Sequence, residues 1–251
     1  MSMKNINDEK KRELHPLYKC AVLFLFVLGV AIIFVDWPQK TKSTYEVEDQ
    51  EEISKQNNKA TEASMLVVID PGHGGNDPGK VSRDGILEKD VNLQISLCLQ
   101  QELEARGVEA LLLRTTDDNL ATAGATNKKN SDMKNRVAKI NDCNPDFLIS
   151  IHQNSFTDPK VRGPQVFYHG SSEASEDFAL KLQEMLNAIN PQYAREAKEG
   201  NDYYLLNKSI CPGVIIECGF LSCPEETALL TSQQYQQKIA SAIADAILDV
   251  H

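Results

Sequence analysis

Residues 65–75 read MLVVIDPGHGG. The apolar run 65–70 has the length of a short buried strand, and the glycines that follow permit a tight turn at its carboxyl end. From Leu87 to Arg106 the apolar residues Leu87, Val91, Ile95, Cys98, Leu99 and Leu103 recur at helical spacing, and Gly107 is a suitable stop. Further strands are expected at 108–113, at FLISIH (147–152), at PQVFYH (164–169), at 203–206 and at 214–217. Helices are expected over a short segment capped by Ser131, with Met133, Val137 and Ile140 inward, over 173–189 and over about 232–249. Ser222 and Glu225, with Pro224 between them, have the form of a capping box. Strands alternating with helices predict one α/β domain over 64–251, with a largely parallel six-stranded sheet and helices on both faces. In such sheets the functional site lies beyond the carboxyl ends of the strands.

The remainder of the chain reads differently. Residues 20–35, CAVLFLFVLGVAIIFV, carry no charge and follow a segment containing Lys4, Lys10, Lys11, Arg12 and Lys19. Sixteen helical residues span about 24 Å, and Leu17, Tyr18 and Trp37 extend the run into the bilayer interfaces. No small-residue cleavage site follows, which predicts an uncleaved signal anchor at 20–35. The basic segment 1–19 is then cytoplasmic and the rest exported, as a single-pass protein of the cell membrane. Residues 36–63 are too polar to offset their ordering entropy by burial and read as a flexible linker. A net charge of −10 makes a phosphate backbone a poor ligand, so no nucleic-acid partner is expected. Six cysteines, one of them inside the anchor, leave an odd number for the domain, which disfavours a closed disulfide framework. Free, buried thiols are the simpler reading.

Polar residues stand where the strands end. His73 lies just past the first, His152 ends FLISIH, and Glu217 ends the strand 214–217. Glu88 opens the first helix. Two histidines and a carboxylate are the ligand set of a catalytic zinc site, and Glu217 remains as a general base. The ligands are 15 and 64 residues apart, so no local motif reinforces them. Asp70 and Asp77 are candidates to orient the histidines, although each also suits a turn. Arg136 reads as a structural ion-pair partner, His169 as a surface histidine, and Tyr203 and Tyr204 as a core residue and a possible sugar platform.

Four segments, IDPGHGGNDPG (69–79), ILEKD (86–90), SIHQNS (150–155) and IIECGFLSCPEE (215–226), resemble in this order the zinc-dependent N-acetylmuramoyl-L-alanine amidases of the amidase-3 family. The resemblance spans roughly 65–249 and implies one zinc ion held by His73, Glu88 and His152, with Glu217 as the catalytic carboxylate. It implies hydrolysis of the amide between N-acetylmuramic acid and L-alanine, with peptidoglycan strands bearing stem peptides as substrate. The segment 118–137 and the ending from Gly219 look like the germination-specific sporulation branch. That branch implies spore-cortex maturation through muramic δ-lactam formation, a place on the cortex side of the forespore, and a possible lipoprotein or other protein activator. Vegetative wall turnover or cell separation, cleavage within the stem peptide and a catalytically silent wall-binding role are the alternatives. Cys223 departs from the family, which commonly has Asn there.

Overall fold

The computed structural model describes residues 65–250. The expected cytoplasmic segment, anchor and linker at 1–19, 20–35 and 36–63 lie outside the described residues. Among the described residues no helix is long and apolar enough to cross a membrane.

Six strands form one sheet in the order β2-β1-β3-β6-β4-β5. They are β1 (Leu66–Pro71), β2 (Glu109–Leu112), β3 (Phe147–Asn154), β4 (Gln165–Tyr168), β5 (Lys198–Glu199) and β6 (Gly213–Phe220). Pairs β1–β2, β1–β3, β3–β6 and β4–β5 are parallel, and β4 runs antiparallel to β6. The helices are α1 (Glu88–Ala105), α2 (Lys128–Cys143), α3 (Glu173–Ile189), α4 (Tyr204–Lys208), α5 (Pro224–Leu230) and α6 (Gln233–Val250).

Strand alternation divides the sheet into two unlike faces. Val67 and Ile69 of β1, Ile149 and Ile151 of β3, and Val214, Ile216 and Cys218 of β6 enter the main core. There they meet Leu99 and Leu103 of α1, Phe178 and Leu182 of α3, and Ile239, Ile243 and Ile247 of α6. The intervening residues Val68 and Leu148 enter a smaller cluster with Ile140 of α2 and Leu205 of α4. Further toward the carboxyl ends, that second face carries Asp70, Ser150, His152 and Glu217.

Several expected elements are corrected. Residues 203–206 are not a strand: Tyr204–Lys208 is a short helix, because Leu205 and Leu206 are buried on one helical side while Tyr204 is exposed. The sixth strand is instead the two-residue β5, which is too short and polar to show a period. Helix α2 begins a turn before Ser131, since Asn127 caps it by accepting the Asn130 N–H at 3.0 Å. Ser222 makes no capping box: Cys223 precedes α5, and the Ser222 hydroxyl accepts the Phe156 N–H at 2.9 Å. The five described cysteines are free, and Cys218 and Cys223 are buried.

Candidate metal centre and catalytic carboxylate

Glu88 is the hub of the site. It opens α1 and is almost wholly buried, a cost that an ionised carboxylate sustains only with compensating partners. Its Oε1 lies 3.2 Å from His73 Nε2 and 3.0 Å from His152 Nδ1. The same oxygen accepts the Gln153 N–H at 3.1 Å, and Oε2 accepts the Lys80 N–H at 2.7 Å. Burial alone would raise the Glu88 pKa, but the hydrogen bonds and charges of His152 and His73 outweigh it and hold the carboxyl far below its ordinary value. Burial likewise works to lower the His73 pKa, and Glu88 and Asp77 together raise it above the usual imidazole value.

These contacts have the spacing of a metal polyhedron. Two ligands at about 2.0–2.1 Å in a tetrahedron are separated by about 3.3 Å. The three donor atoms lie within 4.8 Å of one another. His73 Nδ1 faces Asp77 Oδ2 at 2.9 Å, which leaves Nε2 as the free donor and fixes the ring. Asp77 therefore orients His73, and it also accepts the Gly79 N–H at 3.1 Å as a turn residue does. Asp70 does neither: it pairs with Arg136 and accepts the Ser150 hydroxyl at 2.7 Å.

The turn after β1 brings His73 into place. His73 has φ +63°, in the left-handed region that costs a non-glycine residue about 1–2 kcal/mol. Gly72 is required by close approach, because a Cβ there would sit 2.3 Å from the His152 ring. Gly79 is required similarly, with Glu88 Oε2 2.5 Å from where its Cβ would be.

Glu217 stands directly opposite His152 in the β3–β6 register. Between Glu217 and Phe220 β6 carries one residue more than β3, a bulge at the edge of the site. Glu217 Oε2 is buried and has no hydrogen-bond partner among the described residues. Burial pushes its pKa up, opposed by the charges of His152 and His73. A carboxylate oxygen left unpaired beside three ligand-type side chains is placed to take a proton from a reactant. A cavity of about 200 Å3 lies against the two histidines, with Lys129, Met133, Tyr203 and Tyr204 also in its lining. Tyr203 packs on Phe167 with ring centroids 5.3 Å apart; both are half-buried, neither joins a core cluster, and Tyr203 lines the cavity.

The chain matches the family model described as N-acetylmuramoyl-L-alanine amidase over residues 67–249. This chain belongs to the N-acetylmuramoyl-L-alanine amidase family. The germination-specific N-acetylmuramoyl-L-alanine amidase of Bacillus subtilis (strain 168) is 37% identical over 189 residues, which cover 74% of this chain and 79% of that relative. Among solved structures, the CwlD amidase from Clostridioides difficile in complex with the GerS lipoprotein has a TM-score of 0.72 at 37% identity, covering 74% of this chain and 98% of that one. The catalytic domain of CwlV, an amidase from Bacillus (Paenibacillus) polymyxa, has a TM-score of 0.65 at 29% identity, covering 74% of this chain and 99% of that one. The protein is thus a peptidoglycan amidase.

The amidase brings together His73, Glu88, His152 and Glu217, all four residues singled out in the sequence. His169 is elsewhere. It follows β4, which runs antiparallel to β6, and it lines a cavity with Leu148 and Gly213 at the opposite end of the sheet. Arg136 is the structural ion-pair partner expected, bound to Asp70 and Asp132. Sequence reasoning passed over Asn92 and Arg114. Asn92 continues the stripe Glu88–Asn92–Ser96, three polar residues buried at i, i+4 spacing on an otherwise apolar helix face. Arg114 was visible as a charge just past an apolar strand; it is only 5% exposed.

Proposed function

We propose that this chain is a zinc-dependent amidase of the spore cortex, with His73, Glu88 and His152 as metal ligands and Glu217 as general base and acid. The observation that carries the metal reading is the convergence of His73 Nε2 and His152 Nδ1 on one oxygen of Glu88, at 3.2 and 3.0 Å. Neutral imidazoles with a carboxylate are a donor set that suits zinc. Zinc held there would supply a Lewis acid and lower the pKa of water to about 7. Glu217 would take a proton from the attacking water and deliver it to the leaving alanine amine. Its partnerless Oε2 leaves that proton position open. Asp77 would keep His73 in the tautomer that presents Nε2. Tyr203 and Tyr204, on the cavity wall, would flank the substrate.

The cortex reading draws on the germination-specific relative and on a sporulation-specific amidase of Bacillus subtilis, 29% identical over 193 residues. Residues 20–35 would anchor the chain in the membrane, with the catalytic domain on the cortex side. The solved relative in complex with a lipoprotein supports a protein activator of that kind here.

The test uses the full chain in mild detergent, with and without zinc, on cortex and on vegetative peptidoglycan, with released peptides identified by mass spectrometry. Intact stem peptides with a free L-alanine amine, dependent on zinc and lost in Glu217→Gln, are the expected result. Equal turnover of the two walls would overturn the cortex assignment. Zinc-independent release of the same peptides would overturn the metal assignment.

A further inference from the structure

The turn that carries His73 presents three successive backbone carbonyls to the protein interior, and buried carbonyls need donors. No strand supplies them. Two arginines do. Pro71 O accepts from Arg114 Nε at 2.9 Å and from Arg136 Nη1 at 3.0 Å. Gly72 O accepts from Arg114 Nη2 at 3.0 Å and from Asn92 Nδ2 at 3.1 Å. His73 O accepts from Arg136 Nη2 at 2.6 Å.

The two guanidinium groups come from different elements. Arg136 lies in α2, is 1% exposed, and is held by Asp132 Oδ2 at 2.7 Å and by Asp70. Arg114 follows β2 and has no carboxylate partner among the described residues. Its remaining N–H groups go to Lys89 O at 2.8 Å, on the first turn of α1, and to Thr116 O at 3.1 Å. Burial, and then the charge of Arg136, disfavour a cation at Arg114. A fold that needed only to fill this space would not place two like charges on one turn. What the pair supplies is a rigid, planar set of donors, which a lysine ammonium cannot reproduce.

We infer that Arg114 and Arg136 form a buried cradle that holds the turn 71–73 in its left-handed geometry and so positions His73 against Glu88. They are positioning residues: neither shares a hydrogen bond with a ligand side chain. Arg114 also ties that turn to α1 one residue beyond Glu88, so both ligands are set by one side chain. The inference rests on the metal reading proposed above.

The test is zinc affinity, measured on the full chain in mild detergent by competition with a chromophoric chelator, beside urea unfolding. Arg114→Lys and Arg136→Lys should weaken zinc binding about 10- to 100-fold, the range for residues that orient ligands. Leu182→Ala, on the buried side of α3 over the other face, should lose stability and keep its zinc affinity. If the arginine variants do not fold, Asp132→Asn serves. It leaves both guanidinium groups, removes the charge that holds Arg136 Nε and keeps an amide oxygen for the Leu120 N–H, and a smaller loss in the same direction is expected. Unchanged zinc affinity in the folded variants overturns the cradle, as does a loss shared by Leu182→Ala. A wild-type chain that takes up no zinc overturns the metal reading itself, and the cradle with it.

Discussion

The two faces of the sheet are built for different ends. Under α1, α3 and α6 the strands present Val67, Ile69, Ile149, Ile151, Val214 and Ile216, all buried and all apolar. On the other face α2 and α4 bring apolar packing to Val68 and Leu148, in the amino-terminal half. Beyond them the same strands turn polar, through Asp70 and Ser150 to His152 and Glu217. The first face gains by excluding water. The second holds buried charges in place with Arg136 and Asp77, while Asn92 reaches Glu88 from α1 on the first, and Glu217 Oε2 has no partner among the described residues. Stability and chemistry thus lie on opposite sides of strands only one residue out of phase.

The largest effect expected from this division is at Glu217. Glu217→Gln should lower kcat about 10²- to 10⁴-fold, the usual contribution of a general base. It should leave the thermal midpoint level or raise it, because Oε2 is a buried carboxylate oxygen with no hydrogen-bond partner among the described residues. A midpoint that falls with the activity would show that Glu217 supports the fold, and the contrast between the faces would fail.

The ion pair beneath the site comes next. Asp70→Asn leaves Arg136 buried without its main counter-charge and should cost about 3–5 kcal/mol at neutral pH, read from urea unfolding. The sign with pH follows from its acidity. Burial alone would raise the Asp70 pKa, but Arg136 and the Ser150 hydroxyl bring it below the ordinary 3.8. Its contribution is therefore complete above pH 3.8 and is lost as pH falls through the lower folded value. The Asn variant should lack that part of the acid-induced loss, and an identical acid limb in both proteins would remove Asp70 as its source. On the apolar face Leu99→Ala should cost about 2–5 kcal/mol while kcat of the folded protein stays unchanged. A fall in kcat there would mean that the core tunes the site through α1.

Much of this division was legible in the residues. In β3 the order Phe147, Ile149, Ile151 against Leu148, Ser150, His152 shows one face apolar as far as Ile151, with Gln153 next on it, and the other graded toward polarity from Ser150 onward. That grading, repeated at Glu217, locates the site at the carboxyl ends. What escaped had no local signature. Residues 203–206 are aromatic and aliphatic, which suits a strand, and only packing against α2 makes a helix of them. The two residues of β5 are both charged and both exposed. Ser222 and Glu225 matched a capping pattern, yet the hydroxyl is taken by the N–H of Phe156, 66 residues away. Arg114 and Asn92 bond to backbone carbonyls, and a carbonyl is present at every position, so no residue type announces the partner. Sequence reveals a site through its side chains; the donors that hold the backbone beneath it appear only in three dimensions.

The smallest effect separates the faces most finely. Two helices on opposite faces begin with side-chain caps of the same kind: Ser172 accepts the Ser175 N–H at 3.2 Å on α3, and Asn127 accepts the Asn130 N–H at 3.0 Å on α2. Replacing either cap by Ala removes the capping hydrogen bond, worth about 1 kcal/mol, and at Ser172 also the bond accepted from the Ser175 hydroxyl. The consequences should differ, because α3 is packed along its length through Phe178, Leu182 and Leu186, whereas residues 128–130 of α2 are exposed. Ser172→Ala should lower global stability by about 1 kcal/mol. Asn127→Ala should speed hydrogen exchange only in the first turn of α2, where local opening already competes with global unfolding. That turn carries Lys129 and leads to Asp132, which grips Arg136, so the loosened segment adjoins the cavity lined by His73 and His152. Equal global losses in the two variants would mean that the polar face unfolds as one unit with the core, and that its openness is a matter of shape alone.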